Sequence, residues 1–284
     1  MKTLKLGMVG GGQGAFIGGV HRMASRLDGR WELVAGALSS HPARAEASAK
    51  ELGLDPKRSY QSYAEMAVQE AARADGIDAV AIVTPNHMHA GPAIAFLEAG
   101  IHVICDKPLA ATSEQAQLID AAVRASKAHF ILTHNYTGYP VIRQARKLVE
   151  NGELGEIRVI QVEYAQDWLS EAADNKQADW RVNPEKSGAG AIGDIGTHAL
   201  NLASFVSGLQ PQALCADLHS FVDGRRVDDN AHIMLRFEKG AKGMLWASQV
   251  AVGCENTLTL RIYGEKAGLE WQQENPNQLS FTRF

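Results

Sequence analysis

Three residues of this sequence could exchange protons with a bound molecule. Lys107 lies in the run Asp106-Lys107-Pro108 after an apolar stretch, and Asp194 precedes His198 by four positions in a glycine-rich segment. If Asp194 starts a helix, His198 lies one turn later on the same face, where a carboxylate and an imidazole can act as one acid–base unit. The same spacing also fits a capping Asp beside a packed His, and Lys107 also fits a surface turn.

A glycine-rich turn near the start of the chain predicts an anion site. The apolar run 4–9 leads into Gly10-Gly11-Gly12-Gln13-Gly14-Ala15, and a helix begins near Ile17. This strand, turn and helix match the dinucleotide fingerprint at Gly10, Gly12 and Ala15, with Gly10 for the tight turn, Gly12 for close approach of a pyrophosphate and Ala15 for helix packing. A plain glycine-rich turn is the alternative. The predicted phosphate-binding residues are Gly10, Gly12, Gln13, Gly14, Ala15, Phe16 and Ile17.

Composition excludes several classes of function. The chain has 284 residues, which predicts two domains, and its 45% hydrophobic and 21% charged content is typical of a globular protein. A net charge of -4 does not indicate the basic surface that nucleic-acid binding requires. No apolar run approaches the roughly 18 residues of a membrane span. Because Met1-Lys2-Thr3 runs directly into a predicted strand, we expect no signal peptide. Cys105, Cys215 and Cys254 are too dispersed for a disulfide framework or a zinc site, so we expect a reducing cytoplasm.

The first half of the chain alternates between strand and helix patterns. Strands are predicted at residues 4–9, 32–38, 78–83, 101–105 and 130–133, and helices at 42–52, 63–74, 87–98 and 113–127. Such βα units predict a doubly wound parallel sheet, an NAD(P)-binding Rossmann domain of residues 1–135. Ligands of these sheets bind beyond the carboxyl ends of the strands, which is where the polar residues should be sought.

Polar residues follow each of these strands. The second strand is followed by Ser39, Ser40 and Arg44 rather than by an acidic residue, which leaves both NAD and NADP open. The loop after the third strand supplies Thr84, Pro85, Asn86 and His89, and Asn86 is predicted as a helix N-cap. His87 and His89 are two apart, the wrong spacing for a metal pair on one helix face, and no metal is expected. The remaining candidates on the rim are Asp106, Lys107 and Asn135.

The second half changes pattern. A helix is predicted at residues 139–151, and strands are predicted at 156–166, 213–221, 230–237, 243–252 and 258–264. Consecutive long strands predict an α+β domain of residues 136–284 with a large, open, mostly antiparallel sheet. Its uncovered face is a candidate surface for a homodimer or homotetramer, because large apolar patches seldom stay exposed.

Together these motifs resemble the glucose–fructose oxidoreductase / inositol dehydrogenase (Gfo/Idh/MocA) family over nearly the whole chain. The glycine fingerprint, the Thr84-Pro85-Asn86 loop with His89, Asp106-Lys107-Pro108 in place of Glu-Lys-Pro, and Gly190-x-x-x-Asp194-x-Gly196-x-His198 are each similar to a family motif. The glycine turn and the run 134–140 look most like the branch that contains levoglucosan dehydrogenase. The family usually continues past Phe284, so the chain looks like a shortened member.

The resemblance implies a dehydrogenase for a sugar, anhydrosugar or inositol, with the nicotinamide of NAD or NADP at the domain crevice. Either Lys107 or His198 is then the base, and Asp194 supports the base or binds a substrate hydroxyl. The candidate substrate-binding residues are Lys107, Tyr136, Gln166, Asp167, Trp168, Trp180, Arg181, Asp194 and His198. An NAD-dependent glycoside hydrolase and a non-catalytic dinucleotide sensor are the alternatives.

Overall fold

The computed structural model describes residues 3–172 and 176–284. It forms two compact units, of which the first ends at Thr133 and the second begins at His134. Each unit has hydrophobic clusters of its own: two lie in the first unit, and one large cluster lies in the second. Each unit is therefore described by itself.

A five-stranded parallel sheet organises the first unit. Its strands are β1 (Leu4–Gly10), β2 (Trp31–Ala37), β3 (Ala79–Val83), β4 (His102–Cys105) and β5 (Phe130–Leu132), in the order β2-β1-β3-β4-β5. All five residues of β3 are buried, as expected for a central strand with both faces covered. The strand order reverses between β1 and β3, and the loops after these two strands meet at that switch point. The predicted doubly wound parallel sheet is confirmed.

Five helices connect these strands: α1 (Phe16–Arg26), α2 (Pro42–Glu51), α3 (Tyr63–Ala72), α4 (Ala90–Glu98) and α5 (Ser113–Ala125). One predicted helix start is wrong. Asn86 lies inside a short 3-10 helix, Asn86–Met88, and α4 begins only after His89, so Asn86 is not its N-cap. Ser113 is the first residue of α5, and the hydroxyl of Thr112 accepts the capping bond from the Gln115 amide.

The second unit contains the predicted open sheet. Its strand order is β12-β11-β10-β6-β9-β8-β7, and every neighbouring pair is antiparallel except β6 and β9. The strands are β6 (Ile157–Ala165), β7 (Pro211–His219), β8 (Asn230–Phe237), β9 (Lys242–Ser248), β10 (Thr257–Gly264), β11 (Ala267–Gln272) and β12 (Leu279–Arg283). The helices are α6 (Pro140–Glu150), α7 (Lys176–Arg181), α8 (Pro184–Ser187) and α9 (Thr197–Ser207).

The two faces of this sheet differ in burial. Leu235 and Leu245 point into the cluster that also contains Leu202 of α9, whereas the paired residues Met234 and Met244 are 63% and 52% exposed. One face is therefore packed on helices, and the other leaves large apolar side chains in solvent. Among the helices within the described ranges, none combines the length and apolarity that a bilayer crossing requires.

Candidate functional site

The glycine loop after β1 is packed too tightly for side chains. Gly10 and Gly11 have φ of +80° and +72°, which L-residues with side chains rarely adopt. A Cβ on Gly18 would lie 2.5 Å from the Gly11 Cα, so the close approach of helix to loop that the sequence assigned to Ala15 occurs at Gly18 instead. A Cβ on Gly12 would lie 2.7 Å from the Leu38 carbonyl oxygen, which joins this loop to the end of β2.

The N-terminus of α1 is suited to an anionic group. Its N-cap, Ala15, has no side-chain acceptor, and the first turn contains no acidic residue. Such a helix start presents N–H donors and the positive end of the helix dipole. Arg22 of the same helix donates to the Gly11 carbonyl at 2.8 Å and helps to hold the loop against the helix. These features fit the pyrophosphate of a dinucleotide.

The other predicted phosphate and ribose residues divide into two groups. Gln13 donates its backbone N–H to Ser48 Oγ at 3.0 Å and its side-chain amide to Glu51 at 2.8 Å. Both of these donors are therefore already bound to side chains of the protein. Ser39 accepts from the His41 amide at 3.1 Å. Ser40, after β2, and Arg44, near the start of α2, are exposed. The exposed pair is therefore better placed for a ribose or its phosphate than Gln13 is.

The loop after β4 carries Lys107 next to Asp106, a carboxylate with two polar neighbours. Thr133 donates its hydroxyl to Asp106 Oδ1 at 2.7 Å, and His21 Nε2 lies 3.9 Å from the same oxygen. Burial raises the pKa of Asp106, but the contacts with His21 and Thr133 outweigh it and hold the pKa below its ordinary value. Asp106 is therefore charged at neutral pH, next to a half-buried Lys107.

His89 connects the loops that follow β3 and β4. It is fully buried, and its ring nitrogens lie 2.9 Å from the carbonyl oxygens of Thr84 and of Pro108. His89 therefore holds the two loops in place through both of its ring nitrogens. Burial lowers the pKa of His89, against a smaller raising effect of the two carbonyl groups.

In the second unit, Asp194 lies in a π-helical turn, Ile192–Gly196, that continues into α9. Such wide turns are rare in proteins, and those that occur are often found at functional sites. Arg181 Nε and Gln249 Nε2 both donate to Asp194 Oδ2, at 3.2 and 2.9 Å. The sequence suggested that Asp194 starts the helix that carries His198, but the structure places it inside the preceding turn. It is a half-buried carboxylate in a polar cluster.

His198 lies within a cage of aromatic rings near the start of α9. It is 6% exposed, and the rings of Tyr136 and His134 approach its ring edge-on at centroid distances of 4.9 and 5.5 Å. The Tyr164 ring is 6.2 Å away. Burial, the neighbouring Tyr136 and the charge of Asp194 raise the pKa of Tyr164, so this hydroxyl keeps its proton. The imidazole is thus held beside a tyrosine hydroxyl that stays neutral.

A carboxylate from another loop sets the start of this segment. Asp228 accepts hydrogen bonds from the backbone N–H groups of Gly190 and Ile192 at 2.8 and 2.7 Å, and its own carbonyl accepts from Ala191 at 2.8 Å. A Cβ on Gly190 would lie 1.7 Å from that carbonyl oxygen. Only glycine fits here, which is the physical reason for the first residue of the second-domain motif.

The predicted substrate residues of the second unit fall into two connected groups. Arg181 lies over the Trp180 ring at 4.3 Å and so joins that ring to Asp194. Trp168 donates to Gln166 at 3.0 Å, and Asp167 and Trp168 line an open depression together with Val252. Asp167 Oδ2 accepts from the Gly253 amide at 3.0 Å, which anchors this rim.

Sequence reasoning missed several residues that complete the cluster: Tyr164, Asn256, Gln249 and Asp228. Tyr164 could have been found, because the two-residue period of a strand places it on the face of β6 that also buries Val162. Gln249 and Asn256 carry no local signal, since their partners are 55 and 90 or more positions away in the chain.

The buried His89 should make stability depend on pH. Below pH 6.5, its ordinary pKa, the unfolded chain binds a proton at His89 more readily than the folded chain does. Folding stability should therefore fall as the pH drops from that value toward the lowered pKa. We expect His89→Gln to flatten the decline in melting temperature between about pH 7.5 and about pH 5.5. His129→Gln, at an exposed position, is the control; an unchanged slope in His89→Gln would contradict the assignment.

Both halves of the chain match models of known protein families. Residues 4–136 match the oxidoreductase family with an NAD-binding Rossmann fold, and residues 142–270 match the GFO/IDH/MocA C-terminal domain. Levoglucosan dehydrogenase of Pseudarthrobacter phenanthrenivorans is 31% identical over 98% of this chain and 76% of its own length.

Solved structures agree along the whole chain. An oxidoreductase from Sinorhizobium meliloti is 56% identical with a TM-score of 0.92, covering 100% of this chain and 76% of that one. An inositol dehydrogenase homologue from Azotobacter vinelandii, complexed with NADH and myo-inositol, is 38% identical with a TM-score of 0.92, over 99% and 73% of the two chains. The glycine loop, the Lys107 motif and the Asp194–His198 segment thus belong to one known scaffold, and the chain is an NAD(P)-dependent oxidoreductase of the Gfo/Idh/MocA family.

Proposed function

We propose that the protein oxidises a secondary alcohol of a sugar, anhydrosugar or inositol. The observation that carries this proposal is the cluster in the second unit, in which a carboxylate held by Arg181 and Gln249 lies one helical turn before a caged His198. Aromatic faces at Trp168 and Trp180 suit the C–H faces of a ring, and polar groups beside them suit its hydroxyls. Two relatives, a levoglucosan dehydrogenase and an inositol dehydrogenase homologue with bound myo-inositol, support this substrate class.

The first unit holds the cofactor in this proposal. The N–H groups at the start of α1 and the Gly10–Gly12 backbone bind the pyrophosphate, and the loop at Thr84, Pro85 and Asn86 borders the nicotinamide half. When bound, the nicotinamide supplies an acceptor for the hydride of the substrate carbinol. Lys107 places a positive charge where the alcohol oxygen becomes negative, with Asp106 keeping the local charge balanced.

The second unit holds the alcohol and its proton. His198 takes the hydroxyl proton as general base, and the surrounding rings of Tyr136, Tyr164 and His134 keep its ring in one position and exclude water. Asp194 binds a second hydroxyl of the substrate or offsets the charge of the imidazolium that forms. Lys107 as the base, with His198 as the orienting group, is the other assignment of the same two roles.

We infer NAD as the preferred cofactor. The exposed Arg44 and Ser40 could bind a 2′-phosphate, but the Glu51 carboxylate lies within hydrogen-bond distance of Gln13 in the glycine loop and places a negative charge at that edge. The inositol dehydrogenase homologue with bound NADH supports the same choice. A reducing cytoplasm suits the three cysteines, Cys105, Cys215 and Cys254, which are all free thiols.

We also propose that a second copy of the chain covers the exposed face of the seven-stranded sheet. Met234 and Met244 are neighbours across β8 and β9, and Tyr263 of β10 is 43% exposed on the same unit. Large exposed apolar side chains in adjacent strands mark association surfaces. A homodimer or homotetramer through this face would bury them.

Nucleotide binding followed by a substrate panel tests the function directly. We expect nicotinamide fluorescence to report tight binding of NADH and weaker binding of NADPH. Addition of inositols, glucose, xylose or levoglucosan with NAD+ should then produce NADH with at least one of them. Failure to bind either nucleotide would refute the proposal. Release of free sugar from a glycoside without net NADH would instead assign an NAD-dependent glycoside hydrolase, and binding without turnover of any polyol would assign a sensor.

The glycine loop gives a matched pair of variants. Gly18→Ala would push a methyl group against the Gly11 backbone, so the loop must shift, and we expect NADH affinity to fall by about tenfold or more. Gly19→Ala is the control, because its Cβ would meet no atom closer than 3.8 Å. Titration of NADH into both variants, with circular dichroism to verify folding, makes the comparison. Equal affinities would show that the Gly11–Gly18 contact does not shape the site.

Loss of either proposed proton-handling group should impair turnover more than binding. We expect His198→Asn and Lys107→Met each to lower kcat by about 10²–10⁴-fold, because well-placed acid–base groups contribute that much. NADH affinity should remain close to that of the wild type. The exposed residues His129 and Lys127, replaced by Asn and Met, are the controls. A variant with unchanged kcat would remove its residue from the mechanism.

Introducing negative charges on the exposed face of the sheet tests whether it is an association surface. Met234→Glu with Met244→Glu should lower the mass that light scattering measures, because two buried carboxylates per copy oppose association. Val68→Glu, on an exposed position of α3, should leave the mass unchanged. A monomeric wild-type protein, or a double variant with the wild-type mass, would rule out this face.

A further inference from the structure

Five side chains of the second unit form one continuous chain of hydrogen bonds. Trp168 Nε1 donates to Gln166 Oε1 at 3.0 Å, and Gln166 Nε2 donates to Asn256 Oδ1 at 2.8 Å. The Tyr164 hydroxyl donates to the same Asn256 oxygen at 2.7 Å, and its other side meets the Tyr136 hydroxyl. The chain thus runs from the open depression at Trp168 to the ring that packs against His198.

The direction of every bond in this chain follows from one end. An indole N–H can only donate, so the atom of Gln166 that faces Trp168 must be its oxygen. Its NH2 group then faces Asn256, and the atom of Asn256 that meets it must also be an oxygen. That oxygen has no hydrogen to give, so the Tyr164 hydroxyl must donate to it. The orientations of both amides are therefore set by chemistry.

The same logic determines what Tyr136 can offer. Tyr164 has one hydroxyl hydrogen and gives it to Asn256, so between the two tyrosines Tyr164 can only accept. Tyr136 must therefore donate its single hydrogen to Tyr164. What remains on the Tyr136 oxygen is a lone pair. The raised pKa of Tyr164 is consistent with this arrangement, because a hydroxyl that keeps its proton keeps its direction.

We propose that Asn256 is a positioning residue of the site and that it makes Tyr136 an acceptor toward the substrate. Tyr136 then selects for a hydroxyl that can donate and disfavours an ether, carbonyl or halogen at the same place. Asn256 is half-buried before β10 and connects to the His198 ring through Tyr164 and Tyr136. This inference rests on the proposed function, and it adds a hydrogen-bond direction that decides between substrates.

Replacement of Asn256 tests the positioning role. Asn256→Leu removes the acceptor that the buried Tyr164 and the half-buried Gln166 share, so we expect kcat/KM for the polyol identified in the panel to fall about 10- to 100-fold. Asn256→Asp keeps an accepting oxygen and should recover most of that loss. In Tyr164→Phe the link to Tyr136 is already cut, so adding Asn256→Leu should cost much less than it does in the wild type. Full additivity would overturn the proposal.

Fluorinated substrates test the direction. A deoxyfluoro analogue of the same polyol can accept but cannot donate at the substituted position. The wild type should discriminate against one such analogue in KM by about tenfold or more. Tyr164→Phe frees the Tyr136 hydrogen, so discrimination against that analogue should shrink several-fold. Equal discrimination by both enzymes against every analogue would show that Tyr136 is not held as an acceptor.

A measurement without turnover separates this inference from the proposed reaction. The indole N–H signals of the five tryptophans can be resolved by ¹⁵N NMR, and Trp168→Phe assigns the one of interest. Asn256→Leu releases the Gln166 amide and should move the Trp168 signal, whereas Asn256→Asp should leave it near its wild-type position. If no polyol is oxidised but the signal moves, the proposed function fails and the positioning chain stands. An unmoved signal in Asn256→Leu overturns the chain itself.

Discussion

The contact between Gly190 and Asp228 is the constraint on which the second unit's site depends. The backbone of Gly190 lies so close to the Asp228 carbonyl that no side chain could be added, and the Asp228 carboxylate accepts two N–H groups of the same short segment. The chain therefore enters the π turn in one conformation. Asp194 and, one turn later, His198 take their positions from that entry rather than from their own packing alone.

A second set of contacts holds Asp194 and the Trp180 ring in place. Arg181 donates to Asp194 and lies over the Trp180 ring, and Gln249, itself 3% exposed, bonds Asp194 from the end of the sheet. A half-buried carboxylate is costly without such donors. The Trp180 ring and the Asp194 carboxylate are thus both held by the Arg181 guanidinium. A change in the position of one would therefore displace the other.

Much of this architecture was predictable from local sequence. The central strand β3 was found because its apolar run is continuous, as its complete burial requires, and the glycine turn was found because positive φ leaves few alternatives to glycine. The details that local sequence did not show depend on contacts between distant segments. Gln13 looked like a phosphate ligand, yet Ser48, 35 positions later, accepts its N–H. Helix packing was assigned to Ala15, but the Gly11 backbone meets Gly18.

The candidate site shows the same limit more sharply. Asp194 and His198 could be named because they are four apart, but Asn256 and Gln249 belong to other strands' ends and have no pattern of their own. A hydrogen-bond chain becomes visible only when both partners are placed. Its direction, in contrast, needs only the donor and acceptor inventory of the side chains once the contacts are known.

The structure excludes one of the two interpretations of Asp194 that the sequence left open, the capping Asp. A capping Asp must offer its carboxylate to the unsatisfied N–H groups of a helix start. Here the π turn runs without a break into α9, and the Asp194 N–H itself bonds the Gly190 carbonyl, so no helix begins at Asp194. The described bonds of its carboxylate go to the side chains of Arg181 and Gln249. The carboxylate, with residual exposure of 15%, is therefore held by side-chain donors and does not cap a helix end.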